Sequence, residues 1–162
     1  MAESWFLKID GIDGESTDDR HKGEIDVLSW SWGVSQAGSP AVGGAGGGGA
    51  GKASFQDFHF VTRISRASPR LFLSSATGQR HAWAALSGAR AGGSKNGEFL
   101  KYKLSDVLVT SVQHSGGEGT TPTEQFSLSY SKFEVAYTPS TASGKIGPSI
   151  QAGYDLKQNK KV

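Results

Sequence analysis

Between Glu24 and Gln36 the chain changes character at every step. Asp26, Leu28, Trp30, Trp32 and Val34 alternate with Val27, Ser29, Ser31, Gly33 and Ser35, a period of two that predicts one β-strand with unlike faces. Leu28, Trp30 and Trp32 are the expected core residues beneath the sheet. The other face is flat and made of small side chains, chiefly Ser29 and Ser31. It fits a solvated surface, the wall of a channel, or a contact with another copy.

Similar alternation runs through the rest of the chain. Trp5, Leu7 and Ile9 predict a first strand that stops at the glycines 11 and 14. Phe58, Phe60, Thr62 and Ile64 oppose Asp57, His59, Val61 and Arg63, giving a half-buried strand within Ser54 to Ile64. Ser68-Pro69 supplies an N-cap and a first-turn proline for one short helix, Leu71, Phe72 and Leu73 supply its apolar side, and Gly78 marks its end. His81 to Ala89 reads as a strand of smaller residues closed by the Asn96-Gly97 turn. From Phe99 to His114 a long strand carries apolar residues on both parities. Later, Phe126, Leu128 and Tyr130 hold even positions while Phe133, Val135 and Tyr137 hold odd ones, so a β-bulge near Ser131-Lys132 is expected. Ser149 to Leu156 predicts a last strand before a lysine-bearing tail, Lys157, Lys160 and Lys161, read as solubilising. About eight strands and one helix predict an all-β fold, a two-sheet barrel or sandwich, in a single domain spanning residues 1–162.

Ala37 to Gly51 interrupts this pattern with a run that cannot pack a core. The chain has 23 glycines, and they gather in loops rather than in a collagen period. Gly44, Gly46 and Gly49 fit a dinucleotide fingerprint, but no helix follows; Gly46 to Lys52 approaches a phosphate loop, but Ala53 stands where Ser or Thr must hold magnesium. A surface loop that lies against another surface is the better reading.

Charge and chemistry narrow the functions further. A net charge of +2, with scattered basic residues, gives no nucleic-acid footprint. No uncharged apolar stretch is long enough to cross a bilayer, and charged residues interrupt the N-terminal segment where a cleavable signal would need an apolar run, so a chain made in the cytoplasm without membrane insertion is expected. There are no cysteines, which excludes disulfides and thiolate metal sites. His21, His59, His81 and His114 fall in separate segments without metal-ligand spacing. No nucleophile elbow occurs, so neither a catalytic residue nor a cofactor is expected. A monomeric barrel that binds an apolar or sugar ligand through exposed Trp5, Trp30, Trp32 and Trp83 is an alternative, though the shared parity of Leu28, Trp30 and Trp32 argues for burial.

The strand Glu24 to Gln36 resembles the signature strand of the Hcp family, the tube protein of bacterial type VI secretion. The opening Phe6 to Ser16, the glycine run ending in Gly51-Lys52, the Phe55 to Ile64 strand, the helix after Ser68 and the strand ending at Asp106 to Val112 are similar to that family in the same order. The resemblance implies a structural protein, not an enzyme, that forms homo-hexameric rings. These stack into a hollow secreted tube, with the tip spike protein, the sheath and small effector proteins as partners. It implies that Ser29 and Ser31 face the lumen. It also implies that the loop containing Gly43, Gly44, Gly46, Gly47, Gly48, Gly49, Gly51 and Lys52 reaches the neighbouring ring, and that the protein leaves the bacterial cytoplasm without a cleavable signal peptide.

Overall fold

Alternating strands need partners, and a computed structural model shows how they find them; it describes residues 3–36, 53–90, 97–139 and 147–162. In chain order the elements are β1 (Glu3–Ile9), β2 (Ile25–Ser31), β3 (Val34–Gln36), β4 (Ala53–Phe55), β5 (Phe58–Arg63), α1 (Ala67–Thr77), β6 (Arg80–Arg90), β7 (Glu98–Ser115), β8 (Thr123–Ser129), β9 (Lys132–Tyr137), β10 (Ile150–Asp155) and β11 (Lys160–Lys161). Neighbours run β7-β6-β1-β2-β5-β8, and β8 pairs back onto β7, which closes six antiparallel strands into a barrel without free edges. β9, β10 and β11 extend the sheet from the first half of β7, so the fold is the expected all-β barrel with one short helix. β3 and β4 form a separate two-stranded ribbon. Between them lies the glycine-rich segment, and Gly43, Gly44, Gly46, Gly47, Gly48, Gly49, Gly51 and Lys52 fall outside the described residues.

The strand from Glu24 to Gln36 departs from its expected form in two ways. It ends at Ser31, passes Trp32 and Gly33, and resumes as β3 in the other sheet. It is also bulged: Val27 faces Thr62 while Ser29 faces Val61, so Leu28 is an extra residue without a cross-strand partner. The bulge reverses the inward parity. Ile25 and Val27 enter the core from one set of positions, and Trp30 and Trp32 pack against it from the other. Leu28 therefore does not belong to the core. It is 46% exposed, a correction of the uninterrupted alternation that placed it beside the tryptophans. Trp30 and Trp32 are half-buried rather than fully enclosed.

Two further parity changes shape the barrel. In β7, Leu104 points inward before Asp106 and Val107 and Val109 point inward after it. Asp106 makes the switch by adopting a left-handed backbone, φ 55°, which Asp tolerates better than most L-residues. Across from it, β8 ends and β9 begins at Tyr130 and Ser131, yet both keep one register along β7: Leu108 opposes Ser129 and Ser105 opposes Lys132. The Ser131 N–H donates to the Ser105 carbonyl at 3.0 Å. The sequence-predicted bulge near Ser131-Lys132 is thus a break between two strands at the same place.

The core is built from β1, β2, β5, β6, β7 and β8, with Leu7, Ile9, Phe58, Phe60, Leu86, Val107, Phe126 and Leu128 nearly inaccessible to solvent. The helix α1 contributes Leu71, while Phe72 and Leu73 are 62% and 60% exposed, contrary to the expected apolar side. Its start also differs. The cap is Arg66, two residues before the expected one, and the first turn is held by two serines: Ser65 Oγ accepts from the Ala67 N–H, and Ser68 Oγ accepts from the Ser65 N–H. Gly78 ends the helix in the left-handed conformation, φ +69°, donating to the Ser74 carbonyl, as the sequence predicts. The lysine tail is folded: β11 pairs with β10, and Lys157 Nζ reaches the Asp106 carboxylate at 2.8 Å.

Candidate functional site

Closure of the barrel turns one parity of each strand inward and leaves the other as an outer wall. On β2, β5, β8 and the second half of β7 the inward rows are Trp30, Phe60, Phe126 and Val112, then Phe58, Leu128 and Val109. The outward rows alternate with them. Ser29, Val61, Gln125 and Gln113 form one, and Ser31, His59, Ser127 and Ser111 form the next. A groove of about 540 Å³ follows these rows and runs over the strand positions of Trp30, Phe60 and Phe126. Ser29 and Ser31 thus share one wall, four strands wide.

Hydroxyl contacts keep that wall low. Ser127 Oγ bonds Ser111 Oγ and lies 2.7 Å from Thr110 Oγ1, and Thr110 donates to Asp57 Oδ2 at 2.8 Å. The β7 register slips at Thr110, between Val109 and Ser111, and so brings three hydroxyls together on two strands. Their partners satisfy them within the sheet. Ser29, Ser31, His59, Gln113 and Gln125 remain exposed, each with donor or acceptor capacity toward the groove.

Beneath the wall an aromatic cluster fixes the sheet. Phe58 stacks on Trp32 at 5.0 Å between ring centroids and meets Tyr102 and Tyr130 edge-on at 5.3 and 5.8 Å. Trp5 meets Trp30 edge-on at 5.0 Å. The Trp32 indole N–H donates to the Tyr130 phenol, which in turn donates to the Gln56 carbonyl at 2.8 Å. Burial pushes the Tyr130 phenol above its ordinary pKa, against the Trp32 hydrogen bond, which favours the phenolate. Burial also raises Tyr102. Both hydroxyls stay protonated at neutral pH, and the tryptophans serve as packing, not as an open aromatic ligand platform.

The histidines occupy four different environments, two of them buried. His21 stacks on Phe6 at 4.4 Å, with Nδ1 2.9 Å from Glu24 Oε2. His81 places Nδ1 2.7 Å from the Asp10 carbonyl, which can only accept, and Nε2 2.6 Å from Ser74 Oγ. Such a serine, histidine and carbonyl series has the order of a nucleophile, its base and an orienting group. Ser74 is on the buried side of α1, however, so the pair docks the helix onto the barrel. His114 Nε2 meets Glu124, whose other oxygen accepts from Ser68 Oγ at 3.0 Å. Glu124 is 1% exposed, and its inward direction on β8 follows from even parity shared with Phe126, a signal readable in the sequence. Only His59 lies on the groove. Among the described residues no cluster of His, Asp and Glu could hold a metal ion, and no helix is long and apolar enough to cross a membrane.

The architecture defines an all-β barrel protein with a neutral, groove-bearing outer wall and a strand extension. Comparisons give that class a family. The model for the family described as "Type VI secretion system effector, Hcp" matches residues 6–137. Protein hcp1 of Pseudomonas aeruginosa is 41% identical over 161 residues, covering 98% of each chain. Among solved structures, Hcp1 from Salmonella typhimurium superposes with a TM-score of 0.79 at 37% identity, over 99% of this chain and 100% of that one. A type six secretion system protein superposes at 0.92 with 32% identity and the same coverage. The chain belongs to the Hcp family of type VI secretion proteins.

Proposed function

We propose that this chain is the structural subunit of a type VI secretion tube. Six copies close into a ring, rings stack head to tail, and the Ser29 and Ser31 wall lines the lumen. The observation that carries the reading is the wall itself. Four neighbouring strands present rows of serine, glutamine, valine and histidine outward while their aromatic residues are turned in, and such a surface can bound a channel. A ring contact that repeats head to tail closes by rotation. In this reading the glycine-rich segment between β3 and β4 meets a neighbouring ring, as the resemblance implies. The tube leaves the cytoplasm with its own machine, the tip spike protein and the sheath as partners and small effectors as cargo. The protein acts without a catalytic step.

A monomeric barrel using exposed tryptophans is disfavoured by the packing of Trp5, Trp30 and Trp32 against one another and the core. Light scattering on the purified protein separates the two: a mass near six chains supports the ring, and a monomer at all micromolar concentrations overturns it. Ser31→Gln adds bulk to the wall without touching the core. The ring should stay intact while export of small effectors falls; loss of the hexamer would assign this wall to a subunit contact.

A further inference from the structure

One end of the barrel interior, where the first turn of α1 rests on it, carries a polar layer that the apolar core does not explain. Next to the inward row of Trp30, Phe60, Phe126 and Val112, the following inward row reads Val27, Thr62, Glu124 and His114 across β2, β5, β8 and β7. Thr62 is 0% exposed and Glu124 1%. One oxygen of Glu124 accepts from Ser68 Oγ of α1 at 3.0 Å, and the other meets His114 Nε2. Two such partners leave the carboxylate with lone pairs to spare. Directly across the ladder, Thr62 Oγ1 is buried and, among the described residues, has no hydrogen-bond partner. Its other inward neighbours, Val27 and the stacked Phe60 and Phe126 rings, offer it only carbon. A buried hydroxyl left in that state is costly, because it has given up water and received nothing in return.

We propose that Thr62 and Glu124 hold an internal water molecule, which accepts from the Thr62 hydroxyl and donates to the Glu124 carboxylate. Directly opposed residues of an antiparallel pair have Cβ atoms about 5 Å apart, so their side chains converge on a space that one small polar molecule can bridge. Water is the ligand of the right size and chemistry, since internal waters sit where buried polar groups lack other partners. The bridge extends the series from Ser68 through Glu124 and His114 to a further strand: α1, β7 and β8 are already joined through the carboxylate, and the water adds β5. It also fixes the direction of Glu124, and through Ser68 the seat of α1 on the barrel end. The site lies within one protomer and does not depend on ring formation.

The test is a high-resolution crystal structure of the full-length protein, joined to urea titrations of two variants. The structure should show a water within about 3.2 Å of both Thr62 Oγ1 and a Glu124 carboxylate oxygen. Thr62→Val keeps the shape and branching of the side chain and removes its hydroxyl. Its crystals should lose the water, and its unfolding equilibrium constant should rise about five- to tenfold, the size of one buried hydrogen bond. Thr62→Ser keeps the hydroxyl and should keep the water, which leaves the idea open to refutation by crystallography even if the valine variant folds poorly. A Thr62→Val protein as stable as the parent, or more stable, would overturn the proposal, because deleting a hydroxyl that has no partner relieves a cost. A parent structure in which Thr62 Oγ1 bonds directly to Glu124 or to a backbone carbonyl would overturn it too. So would a bound monovalent cation in place of the water, revealed by a stability that falls when potassium and sodium chloride are replaced with choline chloride at equal ionic strength.

Discussion

Replacing Phe58 with alanine removes the ring around which the aromatic cluster is assembled. Phe58 is inaccessible to solvent, and its ring lies 5.0 Å from Trp32, 5.3 Å from Tyr102, 5.8 Å from Tyr130, 6.0 Å from Phe60 and 6.3 Å from Trp30. Deleting a buried phenyl ring costs about 3 to 5 kcal/mol, a range that already contains the lost ring contacts and the cavity left behind. So many stiff neighbours leave little room for collapse, which places Phe58→Ala near the upper part of that range, at about 4 kcal/mol. With a urea slope of about 2 kcal/mol per molar, the unfolding midpoint should fall by about 2 M at unchanged slope. Trp32 and Trp30 report the transition by fluorescence, and protomer concentration must be held constant because assembly adds its own stability. The control is Leu28→Ala, at the outward bulge of β2, where the loss should stay within about 0.5 kcal/mol. A Leu28→Ala cost of several kcal/mol would refute the bulge and restore uninterrupted alternation along β2, and a Phe58→Ala cost below about 1 kcal/mol would refute the tightly packed aromatic cluster.

Gly88→Ala on β6 should destabilise the barrel by about 1 to 3 kcal/mol, as overpacking does, because a Cβ there would stand 2.4 Å from the Trp5 ring, itself pinned between Trp30 and Phe99. Thermal melts that match the parent would show that Trp5 can move aside. Asp106→Asn should lower the melting temperature slightly at pH 7 and leave it closer to the parent at pH 3. The Lys157 hydrogen bond, aided by the Lys157 and Arg80 charges, holds the Asp106 carboxyl below its ordinary pKa, so its contribution is present above the unfolded carboxylate value and lost as pH falls through the folded one. A gap between parent and variant that widens in acid would contradict this, and Asn keeps the left-handed backbone accessible, so strain is not the cause.

The barrel was legible because alternation is a strong signal, and its details were hidden because several local irregularities reset that alternation by different means. Leu28 and Thr110 are extra residues in bulges, Asp106 turns left-handed, and Tyr130-Ser131 is a strand break. The last was read from the change of apolar residues from even to odd positions across it. At Leu28 the same kind of change was present, Ile25 and Val27 at odd positions against Trp30 and Trp32 at even ones, but Leu28 fitted the later row and masked it. A leucine beside two tryptophans reads as core whichever way it points. Phe72 and Leu73 mislead for a related reason: consecutive residues on a helix lie about 100° apart, so Leu71 can enter the core only if its two successors turn progressively away. Glu124 and His81 are polar residues on inward positions whose partners, Ser68 and His114 or Ser74 and the Asp10 carbonyl, come from distant segments that the sequence does not bring together. The wall of Ser29 and Ser31 fared better because small residues were read only as the side opposite the tryptophans. That relation survives the bulge: Ser29, Trp30, Ser31 and Trp32 all follow it, so the serines and the tryptophans keep opposite faces even though the residues before Leu28 have exchanged theirs.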